Sequence, residues 1–154
     1  EMAPREVVPP RFWNAEPSVD VLSYLTSQWL PQKKRGLFLH GKSGCGKTYQ
    51  LYAIYKVLLA NFLEKRKVVY HDCENRAGWN FDGENKAHLF DNLFTERPTR
   101  SAANAAYRTL NLCYDNNLVC FFTSALSLEK IEEMYGERYS RRIKALAEPM
   151  VLTR

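Results

Sequence analysis

Eight consecutive residues, Gly41-Lys42-Ser43-Gly44-Cys45-Gly46-Lys47-Thr48, match the spacing GxxxxGK[ST] in full. The glycines let successive backbone N–H groups turn inward, where together they cradle phosphate oxygens. Lys47 brings a positive charge to the β- and γ-phosphates of a nucleotide, and the Thr48 hydroxyl is suited to ligate Mg²⁺. The same eight residues in an arbitrary glycine turn would mean little. Here an apolar run, "GLFLH" at 36–40, precedes them and a helical pattern follows, the strand-loop-helix context that phosphate binding requires. The cofactors predicted are ATP and Mg²⁺, bound at residues 41–48.

Hydrolysis needs a second acidic site, a carboxylate at the end of a neighbouring apolar strand that holds the Mg²⁺ shell. "HLFDN" supplies Asp91, so Thr48 and Asp91 form the predicted metal pair. The next residue is Asn92, which cannot act as a general base, so any hydrolysis is expected to be slow or to use another group. Glu96 lies close by in sequence. Farther on, "VCFFTSA" ends an apolar strand in two hydroxyls, Thr123 and Ser124, either of which could reach a γ-phosphate or its attacking water. "GERYSRRIKAL" carries Arg138, Arg141 and Arg142, the densest basic cluster in the chain. An arginine there could stabilise transition-state charge across a subunit interface, or the cluster could be a solvated helix face.

These groups need a scaffold, and the chain is long enough for one. Its 154 residues suit a single domain with a real core, and 45% hydrophobic with 25% charged residues is ordinary for a globular protein. No apolar run approaches the roughly 18 residues of a membrane span. "EMAPREVVPPRF" contains no signal-peptide core, so an intracellular protein is expected, and a first residue of Glu1 suggests a tag remnant or an excised fragment. The net charge of +5 permits contact with a polyanion without requiring it. Cys45, Cys73, Cys113 and Cys120 form no CxxC pair, which fits reduced thiols better than a disulfide framework or structural zinc.

Periodicity supplies the elements. "SVDVLSYLTSQWL" places Val19, Leu22, Leu25, Trp29 and Leu30 near helical spacing behind a Ser18 N-cap. Strands are predicted at 36–40, 67–72, 87–94 (broken by Asp91 and Asn92) and 118–125, with a last short one in "PMVLTR". Helices are predicted from Lys47 to about Glu64, through "SAANAAYRTLNLCYDNN", and through "SLEKIEEMYGERYSRRIKALA", the last broken or bent at Gly136. Residues 73–86 read as a loop. Such alternation predicts an α/β three-layer sandwich with a mostly parallel sheet and ligands at the strand carboxyl ends. Residues 1–35 form a lead-in segment and helix, and 36–154 the P-loop ATPase core.

The order "GLFLHGKSGCGKT", "HLFDN", "LVCFFTSA", "GERYSRRI" resembles the AAA+ ATPases of the DnaC/IstB helicase-loader type, with DnaA-like initiators nearby. The "VVPPRF" lead-in is similar to theirs, and the resemblance spans nearly the whole chain. It implies an ATP-dependent homo-oligomer that handles a replicative helicase or single-stranded DNA. It implies Lys47 and Thr48 as the Walker A pair and Asp91 as the Walker B acid. Thr123 or Ser124 would be sensor one, and Arg142 the arginine finger, with Arg138 second. Three departures stand out: Asn92 in place of a second acid, Ala125 where Asn is common, and no helical lid with a second sensor arginine before Arg154.

"GWNFDGENKAHLFDN" and Arg141-Arg142 also resemble parts of viral superfamily 3 helicases, although residues 95–117 read as one plain helix without the strand and hairpin those proteins insert. Two further classes share the loop: a small-molecule kinase, and a nonhydrolysing module in which ATP only shifts assembly. Nucleic-acid contact is expected from Lys33, Lys34 and Arg35, Lys65 to Lys67, or Arg97 with Arg100, and from Trp79 or Phe81 stacking on a base.

Overall fold

The computed structural model of the chain describes residues 8–29, 35–42, 44–61, 68–73 and 87–153. Ser43, Lys33, Lys34, Lys65 to Lys67, Trp79 and Phe81 lie outside the described residues. Among those described, no helix is long and apolar enough to cross a membrane.

Five parallel strands form one sheet: β1 (Gly36–His40), β2 (Val68–Asp72), β3 (Ala87–Asp91), β4 (Val119–Ser124) and β5 (Ala147–Val151). Their order across the sheet is β2-β3-β4-β1-β5. The two strands in the middle by burial, β3 and β4, are buried at every position, as near-continuous apolar runs in a parallel sheet should be. Helix α2 (Lys47–Asn61) covers one face, and α3 (Arg100–Asp115), α4 (Leu128–Tyr135) and α5 (Glu137–Leu146) cover the other. The period-two alternation of strands assigns the side chains. Leu37, Leu39, Leu89 and Phe121 join Leu51, Ile54 and Leu58 of α2 in one core. Phe38, Phe90 and Phe122 join Leu110, Ile131 and Ile143 in the other.

The lead-in packs into the first of these cores through Val8, Phe12, Ala15, Val21 and Leu25. It is tied to α2 by polar contacts as well. The Ser18 N–H donates to Gln50 Oε1 at 2.8 Å, and Lys56 Nζ donates to the carbonyls of Trp13 and Ala15. Ser18 caps the short helix α1 (Val19–Tyr24) as its sequence predicts, its Oγ accepting from the Val21 N–H.

The expected stripe of the first helix needs correction. The buried stripe of α1 is Val21 and Leu25, whereas Val19 and Leu22 are exposed. After six residues the helix gives way to a π-helical turn over Leu25–Trp29, where a 3.6-residue period no longer holds; Leu25 is buried as expected, and Leu30 lies outside the described residues. The third strand ends at Asp91, at the expected break, where Asn92 takes φ +58° and turns the chain out of the sheet. The mostly parallel sheet that was expected is parallel at every described pairing. The helix expected to run to about Glu64 is described to Asn61, and 62–64 lie outside the described residues.

The expected break at Gly136 is a full one: φ +119°, ψ 159° separates α4 from α5. That backbone region is essentially restricted to glycine. Gly136→Ala is expected to cost roughly 1–3 kcal/mol of stability, read as a lowered urea midpoint; an unchanged midpoint would show that the two helices can be joined without strain.

Candidate functional site

The glycine loop leaves the carboxyl end of β1 and enters α2 at Lys47, so the N-terminal N–H groups of a fifteen-residue helix point at whatever the loop holds. Gly44 and Gly46 take φ +84° and +92°, with nothing within 4 Å of where a Cβ would sit. Conformation, not space, calls for glycine there. The loop's base is fixed differently: the Gly41 N–H donates to the Ser124 carbonyl at 3.2 Å, and a Cβ on Gly41 would lie 2.6 Å from the Leu152 carbonyl oxygen.

Lys47 is only 8% exposed. Its ammonium donates to the carbonyls of Gly41 and Lys42 at 2.7 and 2.9 Å, with Cys45 Sγ at 3.8 Å. The charge is thereby held at the centre of the loop.

Thr48, the next residue, aims its hydroxyl at Asp91, 3.1 Å from Oδ2 and 3.3 Å from Oδ1. This joins residues 43 positions apart. The predicted metal pair therefore meets in space. An acidic carboxylate beside a hydroxyl at a helix N-terminus is an all-oxygen donor set, the kind that hard Mg²⁺ prefers, and the fit to that ion is good.

Asp91 is buried and hydrogen-bonded on both oxygens. The Thr123 hydroxyl donates to Oδ1 at 2.5 Å and accepts from the Asn92 N–H at 3.0 Å. The Tyr70 hydroxyl donates to Oδ2 at 3.0 Å. Burial first, then the negative charge of Asp91, pushes the Tyr70 phenol pKa far upward, so the group stays a donor at any physiological pH. Of the two hydroxyls that end β4, Thr123 shares a sheet face with Asp91, while Ser124 points to the other face and accepts from the Leu126 N–H. Thr123 is wholly buried. As placed, it touches Asp91 rather than the cavity.

A cavity of about 1070 Å³ opens over the loop. Its wall includes Gly44 to Gln50, Asn92, Phe94 to Arg97, Ala125 and Thr153, together with Arg11 and Phe12 of the lead-in. That volume sits at the upper end of the range for small-molecule sites. Phe12 stacks on Tyr52 at 4.9 Å, meets Tyr49 edge-on at 6.3 Å, and carries the Arg11 guanidinium 4.8 Å above its ring. An aromatic and a cation thus face the phosphate loop across one space.

The left-handed backbone at Asn92 gives a physical reason for its departure from a second acid. Asparagine enters that region several-fold more readily than most residues. Glu96 and Arg97, four and five residues on, line the same cavity. Arg97 and Arg100, the pair expected on a nucleic-acid surface, are both exposed, Arg100 opening α3 behind the Thr99 cap.

Arg142 lies elsewhere. Its Nε–H donates to Asn111 Oδ1 at 3.0 Å, and its guanidinium sits 4.1 Å over the Tyr114 ring. Arg138 lies 4.3 Å over Tyr107, and Arg141 pairs with Glu137 on the surface. Arg138 and Arg142 decorate the contact of α5 with α3, and none of the three lines the cavity.

Sequence reasoning missed Tyr70, Arg11 and Phe12. The alternation in "VVYHD" puts Tyr70 and Asp72 on one face, but only the pairing of Asp72 with Asp91 shows which face that is.

No family model matches the sequence, and no curated protein sequence matches it. Solved structures do resemble the fold. The DnaC helicase loader aligns with a TM-score of 0.73 at 18% identity, over 94% of this chain and 100% of that one. DnaI aligns with a TM-score of 0.70 at 18% identity, over 96% and 95%. The replication initiator DnaA, solved with AMPPCP and single-stranded DNA, aligns with a TM-score of 0.65 at 15% identity, over 87% of this chain and 44% of that one.

Proposed function

We propose that this chain, which has the AAA+ fold of the DnaC, DnaI and DnaA structures, is a Mg²⁺·ATP-binding ATPase of DNA replication that loads or remodels a replicative helicase on single-stranded DNA. The observation that carries the nucleotide reading is the meeting of Thr48 with Asp91 beneath a cavity whose wall is the glycine loop. A chance glycine turn has no reason to bring a strand-end carboxylate within 3.1 Å of its threonine.

In this reading the glycine loop, the N-terminus of α2 and the Lys47 ammonium hold the β- and γ-phosphates. Thr48 and Asp91 hold the Mg²⁺, which when bound neutralises phosphate charge. Asn92 offers no proton acceptor for the attacking water. Glu96 is the carboxylate on the cavity wall that can take that proton as the water oxygen bonds to the γ-phosphorus and the bond to the ADP oxygen breaks. Turnover is expected to be slow in the isolated chain.

Arg142 would complete the site of a neighbouring subunit in a homo-oligomer, its guanidinium pre-oriented by Asn111 and Tyr114. The DNA-replication part of the reading is supported by likeness to a helicase loader and to an initiator solved with single-stranded DNA, and by a net charge of +5. The competing superfamily 3 helicase reading loses support from α3, which is one uninterrupted helix over Arg100–Asp115. The residues of its "W…DG" run lie outside those described.

The test is steady-state ATP turnover with and without single-stranded DNA, beside Glu96→Gln and Lys47→Ala. Stimulation by DNA, with roughly 10²–10⁴-fold loss in Glu96→Gln, the usual contribution of a general base, is the expected outcome. ATP binding without turnover in any condition would replace the motor with a nucleotide-gated binding module.

A further inference from the structure

Asp91 is surrounded by more hydroxyls than a loop and a metal require. Thr48 and Thr123 come from the segments expected to form the site. Tyr70 comes from β2, the outermost strand on that side of the sheet, and reaches across to Oδ2 at 3.0 Å.

Its ring is held tightly enough to fix where that hydroxyl points. Tyr70 stacks face to face on Tyr52, with centroids 4.1 Å apart and planes 6° from parallel, and meets Tyr55 edge-on at 5.8 Å. Tyr52 lies four residues after Thr48, one turn along the same face of α2. The helix that begins at the phosphate loop therefore reaches Asp91 twice, directly through Thr48 and indirectly through the Tyr52–Tyr70 stack.

Proton counting gives this network a direction. A carboxylate only accepts, so the single Tyr70 O–H is committed to Asp91. On the other side, Thr123 donates to Oδ1 and accepts from the Asn92 N–H. With Oδ1 held by Thr123 and Oδ2 by Tyr70, rotation of the carboxylate about its Cβ–Cγ bond would break both bonds.

We infer that Tyr70 is a positioning residue for the metal site, one that fixes the Asp91 carboxylate in the orientation that Mg²⁺ needs. The inference rests on the ATP-binding reading above. Hydrogen bonds to ligating carboxylates and imidazoles orient the ligand, and losing one commonly costs metal affinity out of proportion to its size.

The experiment uses the full chain and a fluorescent ATP analogue (mant-ATP), titrating Mg²⁺ at fixed nucleotide and repeating the nucleotide titration in EDTA. Tyr70→Phe keeps the ring stack and deletes the donor. Its half-saturating Mg²⁺ concentration is expected to rise about 10-fold, with affinity in EDTA and the thermal midpoint little changed. A purely structural role would shift the thermal midpoint and leave the Mg²⁺ midpoint alone, and that result overturns the inference. If Tyr70→Phe does not fold, Tyr52→Leu decides the matter, since it leaves the Tyr70 donor in place but removes the ring stacked on it. A smaller rise in the Mg²⁺ midpoint supports the role, and no rise overturns it. The failure of the underlying reading looks different: wild type would bind no nucleotide, or Lys47→Ala would bind it as well as wild type.

Discussion

Lys47→Ala is expected to abolish nucleotide binding while leaving the chain folded. A lysine at the loop's centre makes charge-assisted contacts with two phosphates, each worth about 1.5–3 kcal/mol. Losing both weakens binding by roughly 3–6 kcal/mol, on the order of 10²–10⁴-fold. The cost to folding is smaller. Only the carbonyls of Gly41 and Lys42 lose a donor, and both belong to a loop that water reaches, so about 1–2 kcal/mol is expected. Thermal unfolding separates the two effects. Ligand at 100 times its Kd stabilises a protein by about 2.7 kcal/mol, which for a domain near this size raises Tm by roughly 5–10 °C. Wild type should show that rise with Mg²⁺·ATP, and Lys47→Ala none. A variant that kept the full rise would place the nucleotide somewhere other than the loop.

Gly36→Ala is expected to be the most damaging single methyl in the described chain. A Cβ there would sit 1.8 Å from the Cys120 carbonyl oxygen, 2.6 Å from its carbon and 3.2 Å from the Phe121 ring. The obstacle is the backbone of β4, which cannot swing aside as a side chain would. Relief requires β1 and β4 to separate, and β1 is also paired with β5. Overpacking of this kind costs about 1–3 kcal/mol when side chains can yield and more when they cannot, so a loss of roughly 3–5 kcal/mol is expected, in the range that only core disruption produces. The measurement is the urea midpoint beside Gly44→Ala, where a Cβ meets nothing and only the positive φ of +84° is at issue. That second variant should lose about 1–2 kcal/mol. Equal losses at the two positions would mean that β1 has room to shift. Because the phosphate loop springs from the end of β1, Gly36→Ala should lower nucleotide affinity as well as stability.

The parts of the site that could be read from sequence are those whose chemistry is contiguous. Eight adjacent residues contain the loop's glycines, its cation and its hydroxyl, and the strand and helix on either side follow from local periodicity. Asp91 could be read because a lone carboxylate ending an apolar run is a local signal too. The break at Gly136 and the cap at Ser18 belong to the same class. Where the reading failed, a nonlocal contact had taken over. Val19, Leu22 and Leu25 fit a helical stripe, yet of the three only Leu25 is buried, joined by Val21 in the core shared with α2, where Gln50 and Lys56 hold the lead-in.

By itself, then, the sequence determined a glycine-rich loop on a strand-helix junction, a hydroxyl at the start of the helix, one acidic strand end, and an alternation that demands a parallel sheet. These are consequences of neighbours along the chain, and short-range sterics and hydrogen bonding settle them. Tertiary structure decided which strand lies beside which, and with it every partner of Asp91. Strand order set β2 next to β3, and the register Asp72↔Asp91 turned Tyr70 toward the carboxylate rather than away from it. A shift of one residue would have pointed Tyr70 to the opposite face. The same packing folded Arg11 and Phe12 over a loop some 30 residues later in the chain and held Arg142 against Tyr114. Such choices come from the burial of two apolar faces at once, a property of the whole sheet that no local stretch of residues contains.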